Sequence, residues 1–257
     1  MGELEPDERD PQRSLSIGFL SMLPLFGAYE WSVHTVDGRV RNASEAFVSL
    51  PLRVVGGVHD EVRLGLLIAV AVLCFSAVRL RGWALGSSML RILLEGAVAA
   101  VALGPLLLLS TRLFLGADAS LPLQAGDVAG PVRAAFVFGG AAYEELVFRV
   151  GIFSLVFLLA RRLFFTSEPE TRAARWGSEI AALAVSAAAF AGIHLSVLAG
   201  LLGRGGEDFH AGLFAWRVLA GVFLVVLFRW RGPGVAAWCH GLFNAALVIG
   251  AGPGVLT

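Results

Sequence analysis

The sequence has no lysine, little charge and almost no cysteine. Only 16% of its 257 residues are charged, whereas an ordinary soluble domain carries about 25%. Hydrophobic residues make up 57% of the chain, and they occur in blocks long enough to cross a membrane. These features exclude an ordinary soluble domain. They predict an all-α fold, a polytopic membrane helical bundle.

The cysteines and the charge balance exclude further classes of protein. Cys74 and Cys239 each lie alone in an apolar segment, so neither a disulfide framework nor a cysteine-based zinc cluster can be built from them. The net charge is zero, which gives no reason to expect a nucleic-acid partner. The first residues are acidic and lack the basic start of a signal peptide. We expect residues 1–14 to form a polar tail and residues 15–257 to form a single polytopic membrane domain.

About seven transmembrane helices are expected, or eight if one is hidden in a polar stretch. The hydrophobic segments are 15–33, 62–80, 92–115, 134–160, 180–202, 211–228 and 235–249. A polar connection is expected over residues 37–60. With a cytoplasmic N-terminus, eleven arginines fall in or beside inside loops and seven in or beside outside loops. The bias favours that orientation, because cytoplasmic loops are enriched in basic residues.

Three charged residues interrupt the fourth hydrophobic segment, namely Glu144, Glu145 and Arg149. Each costs roughly 2.5–3.5 kcal/mol at the centre of a membrane helix, so a functional site facing the protein interior is the expected reason for them. Glu145 and Arg149 are four residues apart, which is the spacing of a helical ion pair. Glu144 lies about 100° around the helix from Glu145 and is therefore free to face a cavity.

Two later segments carry polar residues that complete a possible reaction site. His194 lies in the fifth segment, and His240 and Asn244 share one helix face in the seventh. A carboxylate and an imidazole can together hold and deprotonate a water molecule. A second imidazole and a carboxamide can donate hydrogen bonds to a developing oxyanion. These groups are the ones needed to hydrolyse an amide bond inside a membrane.

The three motifs resemble a known family. Glu-Glu-x-x-x-Arg, Phe-x-x-x-His and His-x-x-x-Asn, in this order on successive hydrophobic segments, are similar to the motifs of the CPBP family. That family includes the type II CAAX prenyl endopeptidases and the bacterial Abi, or bacteriocin-processing, proteins. The resemblance covers residues 132–249. It implies a glutamic-type intramembrane endopeptidase that needs no cofactor and no metal.

The resemblance also implies a role for each site residue. Glu144 would activate the water with His194 as its partner, while His240 and Asn244 would form the oxyanion hole. Glu145 and Arg149 would support this geometry. The implied site is therefore catalytic Glu144, His194, His240 and Asn244, with supporting Glu145 and Arg149.

The implied partners are the lipid bilayer and a membrane-associated protein or peptide precursor. The implied location is the bacterial inner (plasma) membrane, with the N-terminus in the cytoplasm. Leader peptides, bacteriocin precursors and C-terminal sorting tags all remain open as substrates, with or without a lipid.

Three alternatives use the same residues. Glu144, His194 and His240 could form a His₂Glu zinc site of a zinc-dependent intramembrane protease, although the sequence has no His-Glu-x-x-His motif and asparagine is an uncommon zinc ligand. Buried Glu, His and Arg also suit a membrane transporter or proton relay, but the chain shows no internal repeat. A non-catalytic scaffold or immunity protein would tolerate loss of Glu144, which this chain retains.

Overall fold

A computed structural model describes residues 13–36, 41–115, 130–164 and 172–250 of the chain. All regular secondary structure in these ranges is helical, apart from one isolated β-bridge between Leu195 and Glu207. Most of the expected polar tail lies outside the described residues. The α-helices are α1 (Leu15–Thr35), α2 (Ala43–Ser49), α3 (His59–Leu80), α4 (Leu85–Leu115), α5 (Gly130–Glu145), α6 (Ser154–Phe164), α7 (Arg172–Gly192), α8 (Ser196–Leu201), α9 (Ala211–Arg231) and α10 (Pro233–Gly250).

Five of the predicted segments lie inside single helices, and one predicted segment was wrong. The described part of the polar connection, from residue 41, contains α2 and a 3₁₀ helix, Leu50–Val58. The predicted segment 180–202 is not one helix, because the chain turns after Gly192 and α8 begins at Ser196. Backbone bonds to a distant residue replace the helical ones there. The Ser196 amide donates to the Glu207 carbonyl at 2.8 Å, and the Glu207 amide donates to the His194 carbonyl at 2.9 Å.

The fourth predicted segment lies in a long helix, 130–164, which widens in its middle. A π-helical stretch, Leu146–Phe153, joins α5 to α6 and begins directly after Glu145. Such stretches are rare and are found frequently at functional sites. Its backbone is supported from α7, where the Ser186 hydroxyl donates to the Phe148 carbonyl at 2.7 Å. The widening therefore changes the helical register between Glu145 and the residues that follow it.

Helix α10 lies at the centre of the bundle and packs against α1, α4, α5 and α9. Its interior face is made of small buried residues, including Ala236 and Ala237. A Cβ on Gly241 would lie 2.8 Å from the Phe138 carbonyl oxygen of α5, which is too close for any larger residue without a shift. Small residues allow membrane helices to approach closely, and this approach brings His240 beside Glu144.

The helices carry the hydrophobicity of an integral membrane protein. Three helical segments within the described ranges are long and apolar enough to cross a membrane: Ala43–Leu80, Leu85–Ser110 and Ala211–Arg231. Pro233–Ile249 is a shorter apolar helix. Large apolar side chains on α3 and α4 point away from the bundle, such as Leu73 at 69% exposure and Val101 at 77%. In water such a surface would be unfavourable, so these faces fit contact with lipid.

Candidate active site

Glu145 joins the two charged motifs of the bundle. It is fully buried, and its Oε1 atom accepts a hydrogen bond from Nδ1 of His240 at 2.8 Å. Its Oε2 atom lies 3.3 Å from Nε of Arg149, one helical turn further along the chain. The predicted ion pair between Glu145 and Arg149 is therefore present. Because a carboxylate only accepts, the contact to His240 also fixes Nδ1 of that ring as a protonated donor.

Glu144 turns away from this pair and faces a cavity. Its Oε1 atom accepts a hydrogen bond from Nδ2 of Asn42 at 2.7 Å. Its Oε2 atom lies 3.5 Å from Nε2 of His240. His240 therefore lies between the two glutamates, with one ring nitrogen toward each. His194, the expected partner of Glu144, also faces this carboxylate and lines the same cavity.

His194 lies in the turn that follows α7 rather than within a helix. Its Nδ1 atom is 2.9 Å from the Phe190 carbonyl, which is one of the last carbonyls of α7. Helix ends leave such carbonyls without an intrahelical partner. Since a carbonyl only accepts, Nδ1 of His194 carries the proton and caps the helix. Its Nε2 atom is left with a lone pair, which can accept a proton or a hydrogen bond.

Phe190 holds the two imidazoles and the arginine around one ring. Its ring meets those of His194 and His240 edge-on, with centroids 5.4 and 5.5 Å apart. The guanidinium of Arg149 lies 4.5 Å from the centre of the same ring, within the range of a cation–π contact. The Phe-x-x-x-His motif thus supplies a packing residue and an imidazole to the same place.

One cavity of about 340 Å³ brings the four predicted catalytic residues together. Glu144, His194, His240 and Asn244 all line it. The amide of Asn244 is half-buried and donates a long bond of 3.5 Å to the Val137 carbonyl. Glu145 and Arg149 are not among the lining residues and lie behind them. The remaining wall is largely apolar and comes mainly from α4, α5, α9 and α10, with Leu103, Phe136, Trp216, Leu224, Phe243 and Leu247.

Sequence reasoning missed four polar residues at this cavity. Asn42 and Glu207 come from loops, and Arg133 lies in α5. Arg217 of α9, which was interpreted as structural, forms an ion pair with Glu207. Asn42 is followed by Glu45 three residues later, which is a signature of a helix start. That signature predicts α2 but does not indicate any contact with Glu144. The charge of Arg217 within an apolar segment was the signal for its place at the cavity.

The ligand geometry bears on the zinc alternative. Within the ranges that the structure describes, no group of three or more His, Cys, Asp and Glu side chains is arranged to hold a metal ion. Both imidazoles use Nδ1 as a donor, so each has only Nε2 for a ligand or a proton. Whether the reaction requires a metal remains to be tested by chelation.

The helices and the cavity define the class of protein. It is a helical membrane protein with a buried site of two carboxylates, a guanidinium, two imidazoles and a carboxamide. Residues 130–246 match the family model described as Type II CAAX prenyl endopeptidase Rce1-like. The match of this segment, which carries all three motifs, supports membership of the CPBP family of membrane proteases. No curated protein and no solved structure matches the chain.

Proposed function

We propose that this protein is a glutamic-type intramembrane endopeptidase that hydrolyses a peptide bond of a membrane-associated protein or peptide precursor. The observation that carries the proposal is the convergence of Glu144, His194, His240 and Asn244 on one largely apolar cavity. The cavity volume, about 340 Å³, is in the range of small-ligand pockets and suits a few residues of an extended peptide. The family match supports protease activity independently of the geometry.

Glu144 and His194 are proposed to activate the attacking water. Oε2 of Glu144 is the oxygen that Asn42 does not occupy, and Nε2 of His194 carries a free lone pair. The water donates to both, and Glu144 takes its proton as the oxygen forms a bond to the scissile carbonyl carbon. That proton then passes to the leaving nitrogen as the C–N bond breaks. The products are a free carboxyl group and a free amine.

His240 and Asn244 are proposed to bind the oxyanion of the tetrahedral intermediate. Nδ1 of His240 donates to Glu145, so a proton on Nε2 makes the ring cationic and gives it a second donor. Glu145 stabilises that cation in the same way that a buried carboxylate orients a catalytic histidine in other hydrolases. The amide of Asn244, one turn along the same helix, supplies the other donor. Donors fixed before the reaction are worth most in a water-poor site.

The membrane arrangement is part of the proposal. Seven helical units would cross the bilayer, namely α1, α3, α4, the long helix 130–164, α7, α9 and α10, and α7 contains only the first part of the predicted segment 180–202. A single polytopic domain of this kind would lie in the bacterial inner membrane with its N-terminus in the cytoplasm. Substrate identity is the least constrained element. A prenylated C-terminal peptide is the first probe because the matching family is described by that substrate.

The test uses full-length protein in liposomes and an internally quenched peptide with a farnesylated C-terminal CAAX sequence. Wild type should cleave it, and Glu144→Gln should lower turnover by about 10²–10⁴-fold, because the amide keeps the shape but cannot accept the proton. The matched control is Glu179→Gln, which changes a carboxylate of α7 that binds Arg229 far from the cavity.

A second readout covers a substrate that carries no prenyl group. Membrane-protein termini in cells with wild type are compared with those in cells with Glu144→Gln, both inserted at equal levels. Termini that require Glu144 would identify the substrate. Cleavage by the Glu144→Gln variant at the wild-type rate, or identical termini in the two strains together with no cleavage of the probe, would overturn the proposed function.

A further inference from the structure

Asn42 lies outside the segment that matches the family and yet touches the proposed base. It precedes α2, and its Nδ2 atom donates to Oε1 of Glu144 at 2.7 Å across 102 residues of sequence. Asn42 also lines the cavity and a second opening of about 350 Å³, and Glu144 and His194 line both spaces as well. This asparagine therefore stands at the boundary between the two spaces, directly against the carboxylate.

The amide of Asn42 has only one possible orientation. Its Oδ1 atom accepts a hydrogen bond from the Ser44 backbone amide at 2.7 Å and thereby caps α2. A backbone N–H only donates, so Oδ1 must face α2 and Nδ2 must face Glu144. The Asn42 backbone amide in turn donates to the hydroxyl of buried Tyr29 at 2.8 Å. Both ends of the residue are held before any substrate binds.

The long helix leaves space for this contact. Gly140 lies one turn before Glu144 on the same face, and a Cβ at this position would lie 2.9 Å from Nδ2 of Asn42. Any side chain there would push the asparagine away from the carboxylate. The helix, the loop and the cap thus combine to bring one neutral donor to one oxygen of Glu144.

We propose that Asn42 is a positioning residue that fixes the Glu144 carboxylate, occupying Oε1 so that Oε2 is left to take the proton from water. The inference rests on the proposed function of Glu144 as the base. A fixed donor on one oxygen restricts rotation of the carboxylate and stabilises its ionised form. It assigns a role in the site to the half of the chain that carries none of the motifs.

Two substitutions separate positioning from capping. Asn42→Asp keeps a good N-cap for α2 but turns a second carboxylate oxygen toward Glu144, whereas Asn42→Ala removes both bonds. With the farnesylated peptide in liposomes, both should lower kcat by about 10- to 100-fold, the range expected for a hydrogen bond to a charged group, and change KM little. Ser14→Ala is the control, because it removes the cap of α1 through a similar bond but has no contact with Glu144.

The pH dependence gives a readout that a structural role would not move. Two adjacent carboxylates do not both ionise easily, so Asn42→Asp should shift the acid limb of the kcat profile to higher pH by about one unit or more. Infrared titration follows the same group without a substrate. The carboxyl band of Glu144 is isolated by subtracting the spectrum of Glu144→Gln. His194, His240 and Arg149, which face Glu144 from other positions, are unchanged in every variant.

The outcomes distinguish this inference from the proposed function. If Glu144→Gln is inactive but Asn42→Asp keeps the wild-type kcat, pH profile and infrared titration, the positioning role is wrong and the proposed function stands. If Glu144→Gln cleaves normally, the proposed function fails. The infrared titration then shows whether Asn42 still sets the ionisation of Glu144, and an unshifted band would overturn that contact too.

Discussion

Two groups of buried charges lie side by side in this bundle, and they are satisfied in different ways. The first, called the α1–α3 ion cluster, consists of Glu30, Arg41, Glu45, Asp60 and Arg63. The second, called the site cluster, consists of Glu144, Glu145, Arg149 and His240. Only the site cluster lies within the segment that matches the family.

The α1–α3 ion cluster is held mainly by paired hydrogen bonds, and of its arginine nitrogens only Nε of Arg63 is buried without one within the described residues. Arg63 binds both oxygens of Glu30 at 2.5 and 3.1 Å, and Arg41 binds both oxygens of Asp60 at 2.8 and 2.6 Å. Burial disfavours the charge of Arg41, but the bonds with Asp60 prevail and raise the pKa of its guanidinium. Such bidentate pairs define geometry and leave few oxygens for a ligand.

The site cluster retains hydrogen-bonding capacity. Arg149 has its ion pair with Glu145 and its contact with the Phe190 ring, but no aligned hydrogen bond within the described part of the chain. Glu144 and His194 line the cavity, and Oε2 of Glu144 has a loose contact of 3.5 Å with Nε2 of His240. Buried polar groups are normally satisfied, so the unused capacity points to a ligand or to water. The comparison supports a structural role for the α1–α3 ion cluster and the proposed catalytic role for the site cluster.

The largest expected effect is a loss of stability when the α1–α3 ion cluster is broken. Arg63→Met should destabilise the protein by about 3–5 kcal/mol, because it leaves half-buried Glu30 without its ion-pair partner and removes one of the two arginines beside buried Glu45. The thermal midpoint in detergent, followed by tryptophan fluorescence, should fall accordingly. The fraction that remains folded should keep its kcat, since Arg63 does not line the cavity.

Arg91→Met is the matched control for this prediction. Arg91 also pairs with a glutamate, Glu95, at 3.0 Å, but its side chain is 60% exposed. An exposed pair of this kind contributes at most about 1 kcal/mol. Equal losses for the two variants, or a fall in kcat of the folded Arg63→Met protein, would remove the distinction between the two clusters.

The next largest expected effect is a loss of turnover when the proposed oxyanion-binding residues are replaced. Asn244→Ala should lower turnover by about 10²–10³-fold, as for other oxyanion-hole donors, and change substrate binding little. The double variant with His240→Ala should be much less impaired than the product of the two single effects, because residues that act as a unit are not additive. The measurements are kcat and binding of the quenched peptide.

Ser178→Ala provides the control for that series. Ser178 is a buried residue of α7 whose hydroxyl donates to the Ala174 carbonyl of the same helix at 3.1 Å. Its replacement should leave turnover unchanged. Weakened binding of the peptide with normal turnover in Asn244→Ala would instead assign Asn244 to substrate positioning.

Sequence separation decides which of these contacts the sequence could predict. The pair of Glu145 with Arg149, and the shared face of His240 with Asn244, follow from the four-residue spacing of a helix. The contact of Asn42 does not, because nothing local relates a helix cap to a glutamate 102 residues away. The long-range pairs of the α1–α3 ion cluster, Arg63 with Glu30 and Arg41 with Asp60, were missed for the same reason.

The turn after α7 and the π-helical stretch could not be predicted from the composition of their segments. Residues 193–202 are as apolar as the helix before them, so hydropathy could not indicate that the chain turns at His194. The backbone there is satisfied by Glu207, which only the folded chain brings near. The π-helical stretch likewise has no signature of its own, because the support of its carbonyl comes from Ser186 on another helix.

The smallest expected effect is that of metal removal. Asn42, Glu145 and the Phe190 carbonyl already orient Glu144, His240 and His194 without a cation. A carboxylate and an imidazole suffice to deprotonate water, and two donors suffice for the oxyanion. Purified protein should therefore contain no stoichiometric zinc, and EDTA or phenanthroline should leave cleavage unchanged. A zinc metalloprotease in the same liposomes shows that the chelators work. One zinc per chain, with cleavage restored only by added metal, would favour a His₂Glu site in which Nε2 of both imidazoles binds the ion.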